Sequence, residues 1–220
     1  MLTLDDVKKH PQIAEFIRQT EEAMVAIGYT NHGLRHSNVV AGRGMDIARE
    51  VGLSVREQEL AGIACYCHDM GNFMTRHLHH HFGAILFSQV FMGELEPREL
   101  TWIVQAIANH DKEDMNFTNR ISAVLVLADK SDVERSRVTQ KSLEKVRMDI
   151  HNRVNYATEA SSIRVERGKK RITLTLKIDT NFCPIMEYFE IFAERMEFCR
   201  TAAHFLGYDF GLIINSFRLL

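Results

Sequence analysis

The sequence predicts an all-α fold, a helical bundle carrying one small β-hairpin near the C-terminus. Three observations carry this. Apolar residues recur at helical spacing through most of the chain before about residue 160. The pattern then switches to alternation in SIRVERGKKRITLTLKID, residues 162–179. It returns to helical spacing in PIMEYFEIFAERMEFCRTAAHFLG, which opens at Pro184.

The elements follow in order. PQIAEFIRQTEEAMVAIG starts at Pro11, a favoured first-turn residue, and ends near Gly28, with Ile13, Phe16, Ile17, Met24 and Ile27 on one face. HSNVVAGRGMDIAREVG, 36–52, is closed by Gly52. Ser54 then caps VREQELAGIACYCHD, with Glu57 completing a capping box. Gly71 stops that helix just after His68 and Asp69. FGAILFSQVFMG, 82–93, is apolar almost all round and is expected to be buried. EPRELTWIVQAIANHD has Pro97 near its start; RISAVLVLADKSDVERSRV, 120–138, turns polar after Asp129; KSLEKVRMDIHNRVNYAT, 141–158, is more exposed. Ile163, Val165, Ile172, Leu174, Leu176 and Ile178 line one face of the hairpin, about 161–179, with Gly168 in its turn. An isolated hairpin is marginal, so it should lie against the helices. The last helix spans about 184–206. Residues 1–220 are expected to form one domain.

The 220 residues include 45% hydrophobic ones, enough for a proper core and against disorder. The net charge of -2 gives no bulk attraction to nucleic acid or to a membrane, and neither is an expected partner. No apolar run reaches membrane-spanning length, and MLTLDDVKKHPQIAEF is not a signal peptide. Cys65, Cys67, Cys183 and Cys199 fit neither a disulfide framework nor a CxxC pair, so a reducing, cytoplasmic setting is expected. The Met and Phe residues of the last helix serve the core or a homodimer face. RGKKR, 167–171, reads as the wet tip of the hairpin.

GIACYCHDMGNFMTRHLHHHFGA, 62–84, crowds histidines beside an aspartate. A divalent metal takes imidazole nitrogen and carboxylate oxygen on rigid elements. Neighbouring residues of a helix point about 100° apart. His68 and Asp69 therefore converge on one ion only at a helix end, or if Asp69 bridges to a second. Other candidates also fall at element ends: His36, the triplet His79, His80 and His81, and His110. Asp129 follows a run of apolar residues, where a carboxylate needs a cation or donors. Singly, each has a plainer reading, such as a helix-end imidazole favoured by the dipole, or His110 paired with Asp111 or Asp114. The ordered set favours one pocket.

The set resembles the HD-domain metal-dependent phosphohydrolases, whose ligand order is H…HD…H…H…D. It stands here as LRHS (His36), CHDMG (His68, Asp69), HHHFGA (His79), ANHD (His110) and LADKSD (Asp129), over roughly residues 30–137. The family's ligand lies four residues before a Gly-Ala, so Gly83-Ala84 selects His79, with His80 as the fallback. The resemblance implies a helical HD fold with a binuclear centre. His36, His68, Asp69 and Asp129 would hold one ion; Asp69 would bridge to a second on His79 and His110. Histidine-rich coordination favours Mn, Fe, Co, Ni or Zn. Asp69 and His68 are the expected catalytic residues. A metal-activated hydroxide would attack a phosphate ester or anhydride, in a nucleotide or dinucleotide. Many members carry lysine three residues after the motif aspartate, where this chain has Asn72. Arg76, Lys112 and Lys130 are nearby cations that could compensate, and with Asn72 they are the expected substrate contacts. The chain lacks the acidic pair of the guanosine-tetraphosphate hydrolases and the GYP signature of the cyclic-di-GMP enzymes. It looks most like the small bacterial dinucleotide-tetraphosphate hydrolases. Two rivals share the ligand order: a di-iron oxygenase, which Asn72 modestly favours, and a non-catalytic nucleotide-binding regulator.

Overall fold

The computed structural model describes residues 1–112 and 116–220. A short helix α1 (Leu4–Lys9), absent from the sequence reading, precedes α2 (Pro11–Ala26). Thr3 and Asp6 cap α1 reciprocally. Then come α3 (Leu34–Glu50), α4 (Val55–Cys67), α5 (His79–Phe91), α6 (Pro97–Asn109) and α7 (Arg120–Lys130). The expected Ser54–Glu57 capping box opens α4. Gly52 closes the turn after α3 at φ 78°, a region an L side chain avoids.

The bundle is built around α7. Ile121 to Ala128 are all buried, because α3, α4, α6 and the C-terminal α10 (Ile185–Phe205) surround the helix. Asp129 and Lys130 thus emerge at the end of the most enclosed element. The helix stops there, earlier than the sequence pattern indicates. Ser131 Oγ donates to the Ala128 carbonyl, and the fully buried Asp132 turns back towards α3. The segment expected as one helix over 141–158 is two, α8 (Leu143–Met148) and α9 (Ile150–Ala157). Asp149 is extended between them and caps α9, accepting from the Asn152 N–H at 2.7 Å. α5 is not buried all round. Gly83, Ala84, Phe87 and Phe91 face inward, while Ile85 is 54% exposed on the outer side of the bundle.

The hairpin is present as β1 (Thr158–Glu166) and β2 (Arg171–Ile178). Ile172, Leu174, Leu176 and Ile178 are buried as their alternation requires. It forms half of a four-stranded sheet: β3 (Asp209–Ile214) pairs parallel with β2, and β4 (Phe217–Arg218) pairs antiparallel with β3. α10 makes the crossover that a parallel pair demands.

Gly71 does not stop α4 by adopting a left-handed turn. It lies in a 3-10 turn, Met70–Phe73, and lets that turn touch α5. A Cβ there would stand 2.1 Å from the His79 carbonyl oxygen and 2.6 Å from the Gly83 nitrogen, both backbone atoms. Gly42, mid-helix and exposed on α3, has nothing within 4 Å of such a Cβ. Gly71→Ala is therefore expected to lower stability by at least about 1–3 kcal/mol. Gly42→Ala should raise it by up to about 1 kcal/mol. Urea denaturation of both variants checks the pair; equal midpoints would refute the close approach.

Candidate metal centre

Five helix ends deliver the cluster. His36 lies in the first turn of α3, His68 caps the end of α4, and Asp69 follows it. His79 is the first residue of α5, entered through Leu78 in a left-handed conformation at φ 63°. That geometry costs a non-glycine residue about 1–2 kcal/mol. His110 caps the end of α6, and Asp129 lies in the last turn of α7. The four histidines and Asp69 are buried.

Each histidine has one nitrogen anchored outward. His68 Nδ1 faces the Cys65 carbonyl at 2.8 Å, His79 Nδ1 the Arg76 carbonyl at 3.0 Å, and His110 Nδ1 the Ile107 carbonyl at 2.7 Å. In all three the carbonyl lies three residues earlier. For His68 and His110 it belongs to the last turn of a helix, where carbonyls lack helical partners. His36 Nδ1 faces Asp132 Oδ2 at 2.7 Å. A carbonyl only accepts, so Nδ1 carries a proton, and in the neutral ring Nε2 is left to present a lone pair inward.

The inward atoms converge on Asp69. Its Oδ2 lies 3.4 Å from His36 Nε2 and 3.2 Å from His68 Nε2. Asp129 Oδ1 stands 3.3 and 3.5 Å from the same two nitrogens. The other oxygen of Asp69, Oδ1, lies 3.2 Å from His79 Nε2 and 3.6 Å from His110 Nε2. The Nε2 atoms of His79 and His110 are 3.2 Å apart. Donors each about 2.0–2.2 Å from one ion stand ~3.0–3.4 Å from each other. Their spacing and chemistry fit a divalent metal.

Two further observations support the fit. His36 Nε2 and His68 Nε2 are buried without a hydrogen-bond partner. Asp69, 3% exposed, has no Lys or Arg partner among the described residues; its neighbours are imidazoles and the Asn72 amide, which donates to Oδ1 at 3.0 Å. Burial opposes ionisation of Asp69, but the His68 charge and the His110 and His36 imidazoles close to its oxygens hold it well below the usual carboxylate range. Burial likewise opposes the His68 imidazolium, but Asp69 and Asp129 outweigh it and lift the group to about 10. Burial lowers His110 to about 4. Such strong electrostatic demand at one carboxylate is met by a cation.

The predicted residues can be placed. His36, His68, Asp69, His79, His110 and Asp129 come together. His80 does not: its Nδ1 is unpartnered, and it faces an outer groove that His77 and His81 also line. Arg76 and Lys130 line the main cavity, of about 340 Å³, above the cluster. Asn72 is buried beneath it, accepting from Arg76 Nη1 at 3.1 Å while donating to Asp69. It positions both groups instead of meeting substrate. Lys112 is exposed on the outer groove and does not reach the main cavity. Asp111 pairs with Lys130 at 2.9 Å; Asp114 lies outside the described residues.

The sequence reading missed Asp132, although its motif LADKSD contains it. Fully buried, Asp132 accepts from Arg35 Nη1 at 2.7 Å as well as facing His36. It also missed His32, Asn152, Asn155 and Arg195 on the cavity wall.

The family model of the HD domain matches residues 33–156, more than half of the chain. The chain belongs to the HD-domain family. It is also similar to an uncharacterized protein of Methanocaldococcus jannaschii, 21% identical over 216 residues, covering 88% of this chain and 82% of that protein. Family and cluster together point to divalent metal binding and, in general, to metal-dependent phosphohydrolase chemistry. Among the described residues no helix is long and apolar enough to cross a membrane.

Asp132→Ala removes the group that orients His36 and leaves its Nδ1–H unpaired. Metal affinity should fall about 10–100-fold, as for other outer partners of ligating histidines. Competition with a chromophoric chelator measures this; unchanged affinity would show that Asp132 serves the fold alone.

Proposed function

We propose that this protein hydrolyses a phosphate ester or anhydride of a nucleotide, with a binuclear metal centre. The observation that carries the proposal is the division of Asp69 between two groups of donors. His36 and His68 gather at Oδ2, with Asp129 against the same two nitrogens, and His79 and His110 gather at Oδ1. His36, His68, Asp69 and Asp129 would hold one ion, and Asp69, His79 and His110 the other. When bound, two such ions supply Lewis-acid charge and draw the pKa of water towards neutrality. Mn, Fe, Co, Ni and Zn suit these nitrogen and oxygen donors.

The chain's own groups do the rest. Asp69, pinned by Asn72, keeps both oxygens directed at the cluster. Arg76 and Lys130 bring positive charge to the cavity wall, where a phosphoryl group gains charge in the transition state. Arg76, held by Asn72, brings to the cavity wall a cation that residue 72 itself does not supply. The substitution at Asn72 therefore gives no support to the oxygenase reading. His32 lines the same cavity with Nδ1 against the Thr30 carbonyl at 2.6 Å. Burial pulls its pKa well below the ordinary value, so the ring stays neutral and its Nε2 is a hydrogen-bond acceptor.

Asn152 and Asn155 favour a nucleotide over a plain phosphate ester. Both are buried on the cavity wall. Their amide nitrogens donate to the carbonyls of Gly28 and His151, which fixes each amide's orientation. Each Oδ1 is left without a partner. An unpaired buried acceptor costs about 1–3 kcal/mol. The hydroxyls of a ribose or the amine of a base would satisfy it once the neighbouring wall side chains shift to uncover it.

The test is phosphate release from nucleotides, dinucleoside polyphosphates and model phosphodiesters by protein reconstituted with each metal. Asp69→Ala should lower turnover by more than about 10²-fold and reduce bound metal; full activity in that variant would refute the mechanism. Oxygen uptake by iron-loaded protein without phosphate release would establish the oxygenase instead. Asn155→Ala should raise KM for the best nucleotide about 2–10-fold, the worth of one hydrogen bond. It should leave a simple aryl phosphate unaffected; equal effects on both would remove the nucleoside subsite.

A further inference from the structure

Four permanently charged side chains line the cavity above the cluster: Arg76, Lys130, Arg137 and Arg195. Three are already committed. Lys130 Nζ lies 2.9 Å from both Asp111 Oδ1 and Asp129 Oδ2. Arg137 donates to the carbonyls of Asp132 at 2.8 Å and Asn31 at 3.1 Å. Arg76 donates to Asn72, and its Nη2 lies 3.6 Å from Asp111 Oδ2.

Arg195 differs. Among the described residues it has neither a hydrogen bond nor an ion pair. Other arginines on helix surfaces are held by acids three or four residues away, such as Arg18 by Glu15, Arg49 by Asp46 and Arg200 by Glu197. At those spacings Arg195 has Ile191, Phe192, Phe198 and Cys199, so its own helix offers no acid three or four residues away. Its guanidinium lies over the Phe192 ring, 4.7 Å from the centroid, and Phe192 is itself buried on the cavity wall. That stacking holds the planar group and leaves its N–H edge for a forked contact with an anion. The residue sits on α10, beyond the 33–156 segment that matches the HD domain.

We propose that Arg195 is the anion anchor of this site, binding non-bridging phosphate oxygens of the substrate from the C-terminal helix. The inference rests on the reading of the substrate as a phosphoryl compound. It gives α10 a part in binding that the metal cluster does not supply. A flat, always-charged fork suits phosphate where a lysine would offer only a point charge.

The probe is inorganic phosphate, titrated calorimetrically into manganese-loaded protein at constant ionic strength, with metal content measured in parallel. Arg195→Gln should leave metal content unchanged and raise the phosphate Kd at least about tenfold, the loss of a charge-assisted pair. Arg195→Lys should recover part of the affinity, which a merely structural role would not give. Phosphate binding in Arg195→Gln within twofold of the parent would overturn the proposal, as would a metal-loaded parent that binds no phosphate. The readout needs no turnover, so the two readings separate. Phosphate binding that depends on Arg195, without hydrolysis of any substrate, keeps the anchor and removes the hydrolase. Hydrolysis that is indifferent to Arg195→Gln in KM keeps the hydrolase and removes the anchor.

Discussion

The structure depends on one buried carboxylate that, among the described residues, has no lysine or arginine of its own. Three neighbouring acids are paired with lysine or arginine: Asp132 with Arg35 and Arg137, Asp111 with Lys130 and Arg76, Asp129 with Lys130. Asp69 meets only imidazoles and an amide. Burying a charge in that company costs several kcal/mol unless a cation compensates it. The helices that converge there therefore enclose a demand for positive charge, and the two carboxylate oxygens divide that demand between two sets of nitrogens.

Placing ligands at helix ends serves a second purpose. A histidine in mid-helix finds the nearby carbonyls engaged in the i→i−4 ladder. At the end of a helix the last carbonyls are unpaired. His68 and His110 each use one of them to fix a tautomer, and so turn an unsatisfied backbone group into the support of a ligand. His36 stands at the start of its helix, where no such carbonyl is to hand, and the buried Asp132 takes that part. The early end of α7 follows from this need, since continuing the helix would carry Asp132 away from His36.

Most of this was legible in the sequence, and the exceptions have physical causes. Helical periodicity gave the bundle, and alternation gave β1 and β2, because both patterns reflect burial on one face. The strand β3 was missed: DFGLII is a short apolar run with no alternation, buried on nearly every residue, and pairs with a strand far away in sequence. The break at Asp149 was missed because apolar residues continue at helical spacing on both sides of it, and only the cap marks it. His79 was separable from His80 through Gly83-Ala84, and the geometry gives the reason. Gly83 lets α5 pack closely, with a Cβ there 3.3 Å from the His68 carbonyl, so the helix enters with His79 facing Asp69. Asp132, Asn152 and Arg195 were not legible. Their significance lies in what each lacks or meets in three dimensions, and no spacing along the chain encodes that.

The balance of charge bears on the substrate. Around the cluster the four committed cations Arg35, Arg76, Lys130 and Arg137 match Asp111, Asp129, Asp132 and Asp69 in number, but Asp69 is the one acid that pairs with none of them. Two divalent ions, held as proposed, would bring four positive charges to a cluster whose fixed charges are already close to balance. The loaded cavity would then be strongly positive, and Arg195 would add to it. Such a field in a partly enclosed cavity of low dielectric selects a multiply charged anion over a neutral or singly charged one. A phosphoryl compound meets that requirement, whereas a neutral organic substrate for oxygenation would leave the excess charge uncompensated.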